Sequence, residues 1–483
     1  MKYFHRLIWN MSCGSSRAVH RGNQEGEVGQ LSKKYWNMDV EPLLNTPEIR
    51  ERQKGMLPRA IRYCYENVPF ERRRMDAAGV KPEDIRSFGD FQRALKPVGQ
   101  AEFREVFEEF ELDMDKVWLH LFGKDRMDDL FLLTTTSGTT GVPTPYPVFH
   151  KTTETMAELF GRIGWRAGMR PGDKLAVGFG LSMHAAGTPH LFWYKRSHGV
   201  TLIPIGAEAG TERILTYMKL FKATMFSGTP SLALHLIERA PEVLGGPIKN
   251  LGLKTLLLGA EPGAGIPEVR SRLENEYGAK VFDIGAGYGV SCDHPEYQGM
   301  HWIADDHCMY ELIDPETREP VPLTHGAIGQ ACFTPLEPES GIFFHHLRFT
   351  LSDIHQVFTD PCPCGLSGFR YKIVGRADDM LKVKGTPVYP AAIQGVINGF
   401  VPRITGAFRI VLTEKPPRVV PPLKLKVEFG ETVREADLPG LEREIVEKMH
   451  HMLHIRPAIT WLKPFTLERA SKKTQLLEKE YEQ

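Results

Sequence analysis

The residue types best able to do chemistry sit in one run, Thr134-Thr135-Thr136-Ser137-Gly138-Thr139-Thr140-Gly141-Val142-Pro143, directly after the apolar stretch "LFLL". Two glycines let the backbone adopt conformations that other residues resist, so successive N–H groups can converge on an anion. Five Thr hydroxyls and one Ser hydroxyl add donors that reach phosphate oxygens. The run lacks the Gly-Lys-Ser/Thr ending of a Walker A loop, which disfavours ordinary P-loop chemistry. A polar turn after a strand has the same composition, so the residues alone leave both readings open. A second candidate is Cys362-Pro363-Cys364, one tight pair among seven cysteines. An odd count in a chain this long reads as reduced thiols, some bound to metal, and not as a disulfide framework.

These groups need a scaffold, and the sequence alternates accordingly. From Tyr35 to about Phe110 the pattern is helical, with Met56, Ala60, Ile61 and Tyr65 expected near one face. From about Leu130 short apolar strands alternate with helices: "LFLLTTT", "KLAVGFG", "TLIPIG", "ATMFSGT", "LKTLLLGAE" and "AKVFDIG". Such alternation implies an α/β fold, with parallel sheet and crossover helices. After Gly289 the chain becomes rich in strands and loops. From about Asp378 it reads as a small α+β unit with strands "MLKVKGTPV", "AFRIVLTE", "PLKLKVEFG" and "AITWLKPF" and one main helix, "LPGLEREIVEKMHHML". The expected organisation is a loosely ordered extension over 1–34, a large domain over 35–377 and a small domain over 378–483.

The 483 residues carry 60 Lys plus Arg against 60 Asp plus Glu. That balance gives no support to nucleic acid or an anionic membrane as the main partner. No apolar run approaches the roughly 20 residues that span a bilayer. "HRLIWNM" is too short for a signal-peptide core. A cytoplasmic protein acting on a small molecule is expected.

In order along the chain, "YW" (Tyr35, Trp36), "TSGTTGVPT", "FSGTPS", "GAEP" (Gly259–Pro262), "YGVS" (Tyr288–Ser291) and "VGRADDMLKVKGTPVYPAAI" resemble the phenylacetate–CoA ligase family. That family belongs to the adenylate-forming superfamily, and the resemblance covers nearly everything after residue 34. It implies a large N-terminal domain with parallel-rich sheets and a small, mobile C-terminal domain. It implies activation of a carboxylic acid by ATP and Mg²⁺ through an acyl-adenylate, then thioester formation with CoA. The acid would be aryl or arylacetic, with "LFWY" a candidate apolar lining or ordinary core. A homodimer is one arrangement among relatives.

By the same resemblance Ser137, Gly138, Thr139, Thr140 and Gly141 wrap the ATP phosphates. Gly259, Ala260, Glu261 and Pro262 form a wall of the adenine site, with Tyr288, followed by Gly289, stacking on the purine. Asp353 holds the ribose hydroxyls, since a carboxylate can accept from both. Arg376 stands beside ribose and phosphate, Asp378 is the hinge, and the loop holding His184 borders the acyl pocket. Lys473, with Lys472 beside it, matches the catalytic lysine that meets charge building up at the α-phosphate. Cys292 falls where the family carries a magnesium-holding glutamate, and a thiol is a poor ligand for that hard cation. Asp293 is the nearest carboxylate. Some relatives bind structural zinc through Cys, Gly-Met-His and Cys-Pro-Cys, which here implies His294, His301, Cys362 and Cys364 as ligands. Two other readings stay open: adenylyl transfer without CoA, and a degenerate nucleotide-binding protein.

Overall fold

The structure, a computed structural model, describes residues 34–136, 144–197, 199–285, 288–340, 346–384, 386–467 and 476–482. Its strands are β1 (Leu130–Thr136), β2 (Thr144–Phe149), β3 (Lys174–Val177), β4 (Thr201–Pro204), β5 (Met225–Gly228), β6 (Thr255–Gly259) and β7 (Lys280–Gly285). Next come β8 (Gly289–Ser291), β9 (Met300–Trp302), β10 (Cys308–Ile313), β11 (Pro320–Val321), β12 (Ile328–Pro335), β13 (Phe349–Phe358) and β14 (Arg370–Arg376). The last are β15 (Leu381–Val383), β16 (Thr386–Val388), β17 (Ile404–Leu412), β18 (Arg418–Val419), β19 (Lys424–Phe429), β20 (Ala458–Leu462) and β21 (Leu477–Lys479).

Among the described residues, one sheet runs β11-β10-β12-β13-β14-β9-β8-β7-β6-β5-β3-β4. Its β4-to-β7 part is parallel. Helices Thr211–Phe221, Pro230–Leu244 and Pro267–Tyr277 make the crossovers. Every residue of β6, "TLLLG", is buried, as expected where helices cover both faces of a parallel sheet. From β8 to β14 neighbouring strands pair antiparallel, which needs only short turns. The expected parallel set therefore holds for β3 to β7 but not for β1. That strand leaves the sheet and pairs antiparallel with β2 as a separate hairpin. Thr134 and Thr136 pair there with Tyr146 and Thr144, so the hairpin ends bracket the Ser/Thr/Gly run.

Helix Pro47–Asn67 starts where Thr46 accepts from the Ile49 amide, with Pro at the first turn. Its buried stripe is Ile49, Gln53, Leu57, Ala60, Ile61 and Cys64. Ala60 and Ile61 lie on it as expected. Met56 and Tyr65 lie on its margin, where the Tyr65 hydroxyl donates to Asp76 at 2.9 Å.

Residues after Met380 build their own core from Leu381, Ile393, Phe408, Leu425, Ile445 and their neighbours. It is closed by the sheet β20-β19-β17-β21 and by helices Pro390–Asn398 and Leu438–Leu453. "MLKVKGTPV" forms a hairpin, β15 with β16, and is not a single strand. β18, inside the Pro-rich loop, adds to it in parallel. No described helix is long and apolar enough to cross a membrane.

Candidate active site and thiol centre

The end of β6 turns sharply. A Cβ on Gly259 would lie 2.4 Å from the Ile284 carbonyl of β7, so only glycine lets these strand ends approach. Ala260 then adopts φ +67°, a left-handed conformation unusual for a residue with a side chain. This turn delivers Glu261 to the start of helix Pro230–Leu244, where its Oε1 accepts from the Ser231 amide at 2.7 Å. A carboxylate there satisfies an orphan N–H and meets the positive end of the helix dipole. Glu261 and Pro262 also line a cleft between the two cores, opposite Gln394, Asn398 and Arg409. Across that junction Lys382 pairs with Glu316 at 2.6 Å.

Behind the turn, Tyr288 is 2% exposed, its ring 5.5 Å from Trp302 and 5.6 Å from Phe333. Expected as a purine-stacking face, it is instead part of the core and presents no open face in this arrangement. Gly289 lets the Tyr371 hydroxyl approach, since a Cβ would meet it at 2.0 Å.

One residue with no earlier assignment stands on β7. Asp283 accepts from the Tyr297 hydroxyl at 2.6 Å, next to the Gly259 turn by register. Burial pushes its carboxyl up to about 6, against the opposing pull of Tyr297 and Arg270. A lone acid inside the apolar "AKVFDIG" was the available signal.

Asp353 and Arg376 pair in register at the base of the β13–β14 hairpin. Arg376 Nη1 donates to Asp353 at 3.1 Å, while Nε and Nη2 fork onto both oxygens of Asp378 at 2.9 and 2.7 Å. Burial would lower the Arg376 pKa, but Asp378 and Asp353 carry it above its ordinary value. One guanidinium thus joins a strand of the large sheet to the residue that opens the small unit.

His184 lies in a loop tied to the strand that leads into the phosphate-loop candidate. The Thr135 amide donates to Met183 O at 2.6 Å and the Ala185 amide to Thr135 O at 3.0 Å. The imidazole faces Glu208, Nε2 to Oε1 3.8 Å, and Glu208 also accepts from the Leu181 amide. In "LFWY", Trp193 and Tyr194 are core residues against Phe160, and only Phe192 is substantially exposed. Ser137, Gly138, Thr139, Thr140, Gly141, Lys472 and Lys473 lie outside the described residues.

At the far tip of the β13–β14 hairpin, Cys292, His301, Cys362 and Cys364 bring their ligand atoms within 4.8 Å of one another. Cys292 Sγ is 3.8 Å from Cys362 Sγ, and Cys364 Sγ is 3.4 Å from His301 Nε2. The fourth member is thus Cys292, and His294 is not in the group. His294 Nδ1 instead accepts from the Glu296 amide at 3.1 Å and caps its own turn. The Cys292 thiol is buried in this cluster. Asp293, the carboxylate beside it, is paired with Lys280 at 2.9 Å.

Residues 94–334 match the family of AMP-binding enzymes, and 385–478 match the AMP-binding enzyme C-terminal domain. The phenylacetate-coenzyme A ligase of Thermus thermophilus is 30% identical over 434 residues, covering 87% of this chain and 92% of that protein. The enzyme of that name from Escherichia coli is 28% identical over 373 residues, 75% of this chain and 80% of its own. A solved structure of 2-hydroxyisobutyryl-CoA ligase in the postadenylation state is 26% identical with TM-score 0.79, covering 98% of this chain and 96% of that one. The same enzyme in its thioesterification state, with identical coverage (98% and 96%) and 27% identity, gives TM-score 0.63.

Proposed function

The chain belongs to the phenylacetate–coenzyme A ligase family of AMP-binding enzymes, and from that premise we propose an assignment of its residues to the two half-reactions of an AMP-forming acid–CoA ligase. In the first, the substrate carboxylate attacks the α-phosphate of ATP, forming acyl-adenylate and releasing pyrophosphate. In the second, the CoA thiol attacks the acyl carbon and AMP leaves.

Ser137 to Gly141 hold the phosphates with backbone amides and hydroxyls. Asp353 accepts from the ribose hydroxyls, and Arg376 stands between it and the hinge at Asp378. Lys473 offsets charge at the α-phosphate during adenylation and leaves when the small domain turns. The loop around His184 borders the acyl site. The Arg376 fork is the observation that carries this reading. An arginine bonded at once to a strand carboxylate and to Asp378 ties nucleotide contact to domain position. The acid is aryl or arylacetic, a reading supported by the names of the relatives and by the exposed Met183 and Phe192 beside the His184 loop.

The chain offers no carboxylate at the expected magnesium position, so magnesium is left to phosphate oxygens and water, and no step is assigned to it. The thiol centre, by contrast, suits zinc. Two thiolates each about 2.3 Å from a tetrahedral zinc are about 3.8 Å apart, the geometry of a closed structural site. Cys292, His301, Cys362 and Cys364 would hold the ion, which would brace the hairpin tip and take no part in catalysis. Reduced thiols of this kind fit a cytoplasmic enzyme.

The test is a panel of aromatic and aliphatic acids, assayed for AMP and thioester with and without CoA. Acid-dependent AMP and thioester formation is expected. Pyrophosphate exchange with no thioester would remove CoA from the assignment, and ATP binding with no acid-dependent turnover would remove the enzyme.

A further inference from the structure

We propose that Tyr35, Glu41 and Arg166 form, through Ser367, the outer shell that orients His301 in the thiol centre, a reading that rests on the zinc assignment above. The segment Tyr35–Glu41 is then a positioning element for a metal ligand. "YW" begins the family resemblance, and no part of the reaction uses it.

His301 Nδ1 lies 3.0 Å from the Ser367 carbonyl oxygen. A carbonyl can only accept, so Nδ1 carries the proton and Nε2 presents its lone pair toward Cys364, 3.4 Å away. The tautomer and ring angle of the ligand are therefore set by where Ser367 sits. Ser367 is in turn held on three sides. Its amide donates to the Tyr35 hydroxyl at 3.0 Å, and its hydroxyl donates to the Glu41 carbonyl. Arg166 Nη1 donates to the same carbonyl as His301, at 3.3 Å.

The holders are themselves held. Arg166 Nε pairs with Glu41 Oε2 at 2.6 Å, with both side chains at 0% exposure. Glu41 Oε1 accepts from the amides of Trp36 and Asn37 at 2.7 and 2.9 Å. The Arg166 guanidinium lies 5.3 Å from the centre of the Tyr35 ring. Gly368 permits the close passage of this loop, since a Cβ there would stand 2.3 Å from Trp302 O. A buried, hydrogen-bonded array that ends on the non-ligating nitrogen of a metal-binding histidine is the arrangement that tunes metal affinity.

The experiment loads the full-length protein with zinc(II) and follows its transfer to the chromophoric chelator 4-(2-pyridylazo)resorcinol. Tyr35→Phe deletes only the oxygen that receives the Ser367 amide, and Ser367→Ala deletes only the hydroxyl. Each is expected to release zinc about 10-fold faster than wild type, the scale of outer-shell loss. In the cobalt(II)-loaded protein, both should keep the wild-type absorption spectrum, because the four ligands are unchanged. Tyr310→Phe is the matched control: it deletes a buried tyrosine oxygen that meets His355 at 2.9 Å and has no hydrogen bond to Ser367 or His301. Zinc release from Tyr35→Phe at the wild-type or Tyr310→Phe rate would overturn the proposal while leaving the centre intact. If the wild-type protein retains no zinc after loading, the zinc assignment fails and this proposal fails with it.

Discussion

The β13–β14 hairpin has two chemically different ends. At its tip, His301, Cys292 and Cys362 are 0%, 2% and 7% exposed, and the donors face one another. At its base, the side chains of Asp353 and Arg376 are 20% and 34% exposed, and paired full charges stay partly open to solvent. A closed set of soft donors holds a fixed arrangement. A half-open set of charges can accept a polar ligand and can change partners when a domain turns. Stability should therefore depend on the tip and turnover on the base.

The most severe break is Cys292→Ser. Loss of one thiolate should cost about 3 kcal/mol, lowering the unfolding midpoint by roughly 3–4 °C in a melt. His294→Ala should cost no more than about 0.5 kcal/mol, as a surface-turn change. Equal losses from the two variants would dissolve the tip as a centre built on Cys292. The reciprocal break is Arg376→Ala. Acid-dependent pyrophosphate exchange should fall about 100-fold, the scale of removing one stabilising donor, with little change in the melt. A large drop in midpoint with unchanged exchange would invert the comparison.

Between the two ends lies Asp283, whose partner Tyr297 sits 5.3 Å from the Lys372 ammonium of β14. Its carboxyl is raised to about 6, so the folded state favours the protonated form. That contribution is fully present below about pH 4 and is lost as pH rises through about 6. Asp283→Asn should therefore gain stability relative to wild type between pH 5 and pH 7, by about 2 kcal/mol at most. Denaturant titration at the two pH values measures it, and a pH-independent difference would count against a buried, raised carboxyl.

The smallest effect is expected at the domain junction. Glu316→Gln removes a pair whose side chains are 38% and 62% exposed, worth less than about 1 kcal/mol. The ratio of thioester formation to pyrophosphate exchange should move by less than about fivefold, and less again at high salt. A larger shift would mean that this pair, and not the hairpin base, sets domain position.

The sequence by itself carried the alternation of apolar strands with helices, the Ser/Thr/Gly run and the Cys-Pro-Cys pair, while its resemblance to the family supplied Asp353, Arg376, Asp378 and His301. The first three are local patterns. A strand of apolar residues, a Ser/Thr/Gly run or a Cys-Pro-Cys pair is written in consecutive positions, so spacing and residue type carry the information. Only the tertiary structure decided that Cys292 and not His294 completes the centre, that Tyr288 faces the core, and that β1 leaves the main sheet to form a hairpin. It also decided that Tyr35 reaches Ser367, which is 332 residues away in the chain. The reason is physical. Which side of a short strand faces inward flips with a shift of one residue, and which distant loops meet depends on how the sheet twists and packs. Neither is encoded in the neighbours of any one residue.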